Sequence, residues 1–212
     1  MLGAVFLFTV MDAIAKQLTK EVGLIQTIWV RYTGQALLVF LIVLPRLREV
    51  AKSQYPKLQL LRSVVLMAAT CLFFLSISKI KLAEATAIMD INPVLITLGA
   101  FLFLGEKIGP RRILGIITSM IGALIIIRPG TDVFTIYAVL PLIAAVCYTT
   151  YNLTTRFVGN RESPWTSLLY SALFGAVVFS CIVPFFWQPV SLFAAGLMIL
   201  LSLCGTFSQL FL

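Results

Sequence analysis

Between Ala83 and Gly130 the chain reads AEATAIMDINPVLITLGAFLFLGEKIGPRRILGIITSMIGALIIIRPG, two apolar runs separated by the short polar hinge GEKIGPRR. About 20 apolar residues cross the hydrocarbon core of a bilayer as a helix, and each run is of that order. The first run holds a carboxylate, Asp90, and a proline, Pro93, near its middle. Proline removes a backbone donor, hydrocarbon offers no water to replace the lost hydrogen bond, and a charge at that depth is costly. Both are tolerated where a helix faces other helices or a watery cavity, so this segment reads as the wall of a transport pathway.

The same pattern extends through all 212 residues, of which 60% are hydrophobic and 11% charged. Soluble domains average about 45–50% apolar and about 25% charged, too far from these values for a soluble core of this size. The alternating strands of about 10 residues that mark a membrane barrel are absent from the sequence. The net charge of +8 does not announce a nucleic-acid partner, because Lys and Arg fall between the apolar runs, where positive-inside loops place them. With no histidine in the chain, imidazole bases, His ligands and a Ser-His-Asp triad are excluded. No cofactor and no metal site are expected. Cys71, Cys147, Cys181 and Cys204 all sit in apolar runs without a CxxC spacing and read as small packing residues.

The predicted fold is all-α, a polytopic helical membrane protein with about eight transmembrane helices, near residues 2–19, 24–44, 58–78, 84–104, 111–128, 134–156, 165–187 and 190–212. Loops on one side carry ten Lys and Arg, from Arg46 to Arg161; those on the other carry five, from Lys16 to Arg128. The richer side is expected to be cytoplasmic, which places the N-terminus inside. A weak internal repeat lays Asp12–Lys16 of helix 1 on Asn152–Arg156 of helix 6, and Met67–Thr70 on Leu203–Thr206. Five helices separate the copies, and an odd number inverts the second in the membrane, as in many transporters.

Arg31-Tyr32 in helix 2, Ala85-Thr86-Ala87 ahead of Asn92-Pro93 in helix 4, Leu104-Gly105-Glu106 at its end, and Gly115 with Gly122-Ala-Leu-Ile-Ile in helix 5 together resemble the EamA-type branch of the drug/metabolite transporter superfamily. The resemblance covers nearly the whole chain and rests on the order and spacing of these pieces. It implies ten helices in two inverted repeats of five, with a small-molecule substrate held near the midplane and moved across a bacterial inner membrane. On that plan residues 1–130 form a first repeat, and residues 131–212 the first three helices of a second. The expectation is an incomplete second repeat, as in a fragment or an incomplete reading frame.

Within the spans, Asp12 and Lys16 lie one turn apart on one face of helix 1. They read either as a gating or coupling pair, with Asp12 as a proton carrier, or as a carboxylate paired to a cation that snorkels to the interface. Arg31 offers a fork suited to carboxylate or phosphate; the plainer reading is an ion pair with Asp12 or Asp90. Asp90 lines the pathway or serves Arg31, and Asn92 with Pro93 marks a kink that exposes carbonyls. Tyr148, Tyr151 and Asn152 supply rings and an amide that suit an organic solute, or pack ordinarily. Glu84 is placed to complement a helix N-terminus, Glu106 to close a salt-bridged turn, and Gly115, Ser119 and Ala123 to form a close-packing face. Trp165 and Trp187 fit an aromatic belt.

The function that follows is a secondary transporter of small organic solutes, working by alternating access with a proton as a candidate coupling ion. No GxxxxGK[ST] phosphate loop is present, so ATP is not the expected driver. The competing readings are a non-transporting membrane subunit or truncated remnant, and a membrane enzyme built on Glu106 and Glu162.

Overall fold

The computed structural model describes residues 2–105, 109–127, 136–158 and 162–210. Glu106, Lys107, Arg128 and Arg161 lie outside the described residues. Among the described residues every regular element is helical: α1 (Leu2–Glu21), α2 (Leu24–Val43), α3 (Leu47–Val50), α4 (Pro56–Lys79), α5 (Leu82–Met89), α6 (Asn92–Leu104), α7 (Pro110–Ile127), α8 (Val139–Val158), α9 (Pro164–Ile182) and α10 (Leu192–Leu210), with single 3-10 turns at Leu44–Arg46, Ile136–Ala138 and Val183–Phe186. Five stretches, Leu24–Val50, Pro56–Lys79, Leu82–Phe103, Pro164–Phe186 and Leu192–Leu210, are long and apolar enough to cross a membrane. α1, α7 and α8 stand where helices were expected, and α1 is the span most diluted by charge, with Asp12, Lys16, Lys20 and Glu21.

Two expectations need correcting. The helix expected over residues 84–104 is broken in two: α5 stops at Met89, Asp90 and Ile91 form a turn, and α6 restarts at Asn92 with Pro93 in its first turn. Proline is tolerated there because the first amides of a helix lack intrahelical acceptors anyway. The polar loop expected over residues 45–57 contains the short helix α3, whose Val50 is buried with Val39, Val43, Leu168 and Leu169.

The chain divides into two compact units, Met1–Val64 with Arg161–Leu212, and Val65–Asn160. In the first, α1, α2, α9 and α10 pack together. α1 and α2 are joined through Gly23, whose φ of 78° is costly for a residue with a Cβ. The Gln26 side chain then reaches the backbone of Gln188, accepting from its N–H at 3.0 Å and donating to its carbonyl at 3.4 Å. Trp29 donates its indole N–H to Ser180 Oγ at 2.9 Å and meets Trp187 edge-on at 5.7 Å. The α2–α10 crossing is close because Gly34 has no side chain; a Cβ there would fall 2.0 Å from Ser202 Oγ.

In the second unit α5 and α6 pack on α8, and α5 also meets α7. α6 ends at Gly105, whose φ of 69° forms a left-handed cap with its N–H donated to Ala100 O. Gly99 brings α6 against Leu153 of α8. Of the expected packing face of α7, Gly115 is exposed with open space around it, and the side chains of Ser119 and Ala123 lie outside the described ones. Cys204 is buried and Cys71 and Cys147 half-buried, as small packing residues are, whereas Cys181 is exposed. Phe6, Phe103, Phe185 and Leu192 are all more than 60% exposed. Apolar groups on that scale are an anomaly in water and ordinary against lipid tails.

Candidate functional site

In the first unit the sequence candidates Asp12 and Arg31 come together. Arg31 is 3% exposed, and its guanidinium is the charge that acts on the Asp12 carboxylate. That charge effect agrees with the reading of Arg31 beside Asp12. Lys16, one turn on from Asp12, is half-buried and itself engaged. A buried charge left without an opposite charge nearby is costly, so the buried Arg31 depends on the carboxylate it acts on.

What holds Arg31 in place was not read from the sequence. Its guanidinium carbon lies 5.3 Å from the ring centroid of Tyr32, a cation–π distance. Tyr32 stacks on Phe179 of α9 at 6.3 Å with the rings 5° from parallel. One helical turn before Phe179, Gly175 passes under the Tyr32 ring so closely that a Cβ would sit 2.4 Å from ring carbons. On the other side a Cβ added to Gly205 of α10 would lie 3.4 Å from Met11 Sδ and 3.9 Å from the Arg31 side chain, ordinary contact distances. Gln35, one turn beyond Arg31 and 1% exposed, donates its amide to Gln209 Oε1 at 2.6 Å. Its own carbonyl oxygen has no donor among the described residues. A buried amide left half-satisfied is uncommon and suits a ligand that donates. Thr206 and Ser208, by contrast, bond backward to Ser202 O and Gly205 O. The signal for Gln35 and Gln209 was available as uncharged polar residues inside apolar runs; nothing in one sequence distinguishes Gly175 from other glycines.

In the second unit the candidates form a different surface. Asp90 is exposed and caps the C-terminus of α5 in the turn before α6. Asn92 accepts from Thr149 Oγ1 at 3.4 Å and points its amide toward Met89 Sδ. Pro93 is exposed in the first turn of α6, and its own carbonyl accepts from Thr97 Oγ1 at 2.7 Å. On α8, Tyr148 and Tyr151 stack at 6.0 Å, and Asn152 donates to Tyr148 O at 2.8 Å. Asn92 therefore touches the residue that follows Tyr148, and the helix break and the aromatic pair are one neighbourhood. Glu84 sits in the first turn of α5, as the helix-dipole reading expects, and also pairs with Lys81 at 3.8 Å.

Among the described residues no group of three or more acidic or thiol side chains is placed to hold a metal ion. Glu162, half of the acidic pair read as a membrane enzyme's, is half-buried and accepts hydrogen bonds from Ser53, Tyr55 and Gln59.

Comparison with known proteins adds to this geometry. Residues 1–128 match the EamA-like transporter family. The chain is 27% identical over 215 residues to the pseudopaline exporter CntI of Pseudomonas aeruginosa, covering 99% of this chain and 74% of the exporter. It is 33% identical over 107 residues to the riboflavin transporter of Brucella anthropi, covering 50% of this chain and 38% of that protein. It is 21% identical over 201 residues to the S-adenosylmethionine uptake transporter of Rickettsia felis, covering 95% and 68%. The chain thus spans only part of each of these relatives. A solved crystal structure shares the fold with a TM-score of 0.78 at 18% identity, over 98% of this chain and 74% of its own. With the family matched over more than half its length, this chain belongs to the EamA-like transporter family.

Proposed function

We propose that this chain carries small organic solutes across a membrane, and that Asp12, Arg31 and Gln35 bind the solute's charged and polar end. The observation that carries this reading is a buried guanidinium and a buried, half-satisfied amide, with a half-buried carboxylate that the guanidinium acts on, among apolar helices. Ionisable groups inside spans are rare and mark solute and proton paths. Opposite charges side by side suit a solute that carries both signs, and the α-amino and carboxylate ends of S-adenosylmethionine meet that description. Tyr148, Tyr151, Asn152 and the Asn92-Pro93 break supply rings and amide groups for an organic body, with Asp90 at the break.

The mechanism in this reading is alternating access, with Asp12 or Asp90 as the proton carrier and Lys16 tuning Asp12. The setting is a bacterial inner membrane with the N-terminus in the cytoplasm. The test is uptake of radiolabelled S-adenosylmethionine, and separately of riboflavin, by proteoliposomes holding the full chain. Expected is saturable flux of at least one solute, lost in Arg31→Gln and uncoupled from a proton gradient in Asp12→Asn. Flux equal to that of empty vesicles for both solutes overturns the reading. The solute end it assigns to Arg31 falls if Arg31→Gln transports normally.

A further inference from the structure

Leu24–Val50 and Pro56–Lys79 are each long and apolar enough to cross a membrane, so the residues that join them lie at a membrane surface. From Leu44 to Lys57 the chain carries four cations, Arg46, Arg48, Lys52 and Lys57, against one acid, Glu49. All four cations are exposed, and among the described residues none of them is in an ion pair. The bias that places cations on one side of a membrane concerns only their number there. Here the backbone beneath them is also fixed.

Val50 is buried with Val39, Val43, Leu168 and Leu169, and Leu47 packs against that group. The Ala51 carbonyl accepts from the Tyr170 hydroxyl at 3.0 Å. Ser53 Oγ and the Tyr55 backbone N–H donate to the Glu162 carboxylate at 2.5 and 2.9 Å. Gln59, 1% exposed, donates to the same carboxylate and to Ser167 Oγ at 3.1 Å. Arg62, 3% exposed, donates to that hydroxyl at 2.6 Å. The Glu162 cluster therefore holds Arg62 inward, while the four exposed cations stand between or beside the fastened residues. Cations on a fixed backbone lose less freedom on binding than cations on a loose loop.

Apolar surface adjoins them on both sides. Leu41 and Leu44 before the segment, and Leu60 and Leu61 after it, are each more than 40% exposed. Leu60 lies one turn along α4 from Lys57, so a cation and an exposed leucine share a helix face. A soluble anion would use the cations alone, and a neutral lipid the leucines alone. A molecule with an anionic head and hydrocarbon tails uses both.

We propose that Leu44–Lys57 is a binding site for anionic phospholipid, with the headgroup phosphate against the four cations and the acyl chains against the neighbouring leucines. The proposal does not rest on the transport reading, and its test contains no solute. Trp165 packs against the Val50 group and serves as a local reporter in the full chain carrying Trp29→Phe and Trp187→Phe. This chain is reconstituted in phosphatidylcholine vesicles holding equal fractions of acyl-brominated phosphatidylglycerol or acyl-brominated phosphatidylcholine, and quenching of Trp165 gives their relative association. Near a membrane surface each Lys or Arg contributes about a fivefold preference for anionic lipid. The starting chain is therefore expected to prefer phosphatidylglycerol at least about fivefold, and the chain with Arg46→Gln, Arg48→Gln, Lys52→Gln and Lys57→Gln less than about twofold. A control with Lys20→Gln, Lys79→Gln, Lys81→Gln and Arg111→Gln, exposed cations elsewhere, is expected to keep the preference. Equal quenching by the two lipids in the starting chain overturns the site. An equal loss in the control also overturns it, because net charge alone would then explain the preference. If inorganic phosphate abolishes the preference at an ionic strength where chloride does not, the site takes phosphate from solution and the lipid assignment falls. Should the fourfold variant fail to fold, Arg46→Gln with Arg48→Gln is expected to lower the preference at least about twofold, and an unchanged preference overturns the site.

Discussion

The two units place their polar residues by different means. In the first, the candidate groups are mostly charged and at least half-buried, and they are held by side-chain packing: Arg31 lies beside Tyr32, Tyr32 stacks on Phe179, and Gly175 makes room. In the second, the candidates are mostly uncharged or exposed, and the backbone arranges them: α5 ends, Asp90 and Ile91 turn, and α6 restarts at Asn92. On α8, Thr150, Asn152, Thr154 and Thr155 bond back to their own helix, as Asn152 does to Tyr148 O and Thr155 to Tyr151 O, while Thr149 reaches Asn92. A helix that satisfies its own polar groups tolerates lipid or cavity alike. A buried guanidinium tolerates neither unless its neighbours are fixed. Substitutions in the first unit are therefore expected to be unforgiving, and those in the second mild.

The largest effect should come from Arg31→Ala. It leaves the half-buried Asp12 carboxylate without the cation that acts on it, and losing one partner of a buried pair costs up to about 3–5 kcal/mol. Thermal unfolding in detergent should report a clear loss of stability, and Asp12→Asn in the same chain should recover part of it. An Arg31→Ala protein that melts with the wild type would mean that the pair is solvated, and the contrast between the units would lose its main support.

Next is Gly175→Ala. The added methyl would lie 2.4 Å from the Tyr32 ring, a flat group that cannot bend aside and is itself 1% exposed. Overpacking of this kind costs about 1–3 kcal/mol, and here it also pushes the ring on which Arg31 rests. Tyr32→Leu in the Gly175→Ala background should restore stability, since a flexible side chain yields space that a ring cannot. That Gly175 matters was not legible in the sequence. One glycine among 13 carries no mark of what passes above it, because the close approach is made by a residue over 140 positions away. The helices were legible, since span length and apolar runs are local properties. A kink at Asn92-Pro93 was legible too, because Pro93 acts on its own turn, but not that the helix stops at Met89 and restarts at Asn92. The sequence left Arg31 open between Asp12 and Asp90, because which charge it meets depends on packing between helices distant in the chain. The Glu162 cluster was hidden because polar residues in loops usually face water, and only the fold shows Gln59 and Arg62 to be buried.

A smaller effect, with a pH signature, is expected at Glu162. Burial by itself raises the carboxyl's pKa, but the donors Ser53, Gln59 and the Tyr55 and Gln54 amides outweigh it and hold the group below the usual glutamate value. Because the folded chain binds this proton less readily than the unfolded chain, the stabilisation is fully present above the ordinary carboxylate range. It is lost as pH falls through the lower folded value. Arg62 is the other charged side chain in the network, joined to it through Gln59 and Ser167. Melting temperature against pH should show an acid-side fall in the wild type that is shallower in Glu162→Gln. Parallel curves would mean that the carboxylate is solvated and the cluster loose.

The smallest effect sharpens the comparison most. Gly99 of α6 stands to Leu153 of α8 as Gly175 stands to Tyr32: an added Cβ would again fall 2.4 Å from the nearest atom. The atom is different in kind. At Gly175 it belongs to a rigid ring stacked on a second ring; at Gly99 it is the end methyl of a leucine that is only half-buried. A leucine can change rotamer for about 0.5–1.5 kcal/mol at most, and part of that is recovered by the apolar surface the new methyl covers. Gly99→Ala should therefore cost under about 1 kcal/mol, against about 1–3 kcal/mol for Gly175→Ala. Equal losses in the two variants would show that the second unit is packed as rigidly as the first, and that its polar residues are held by side chains after all.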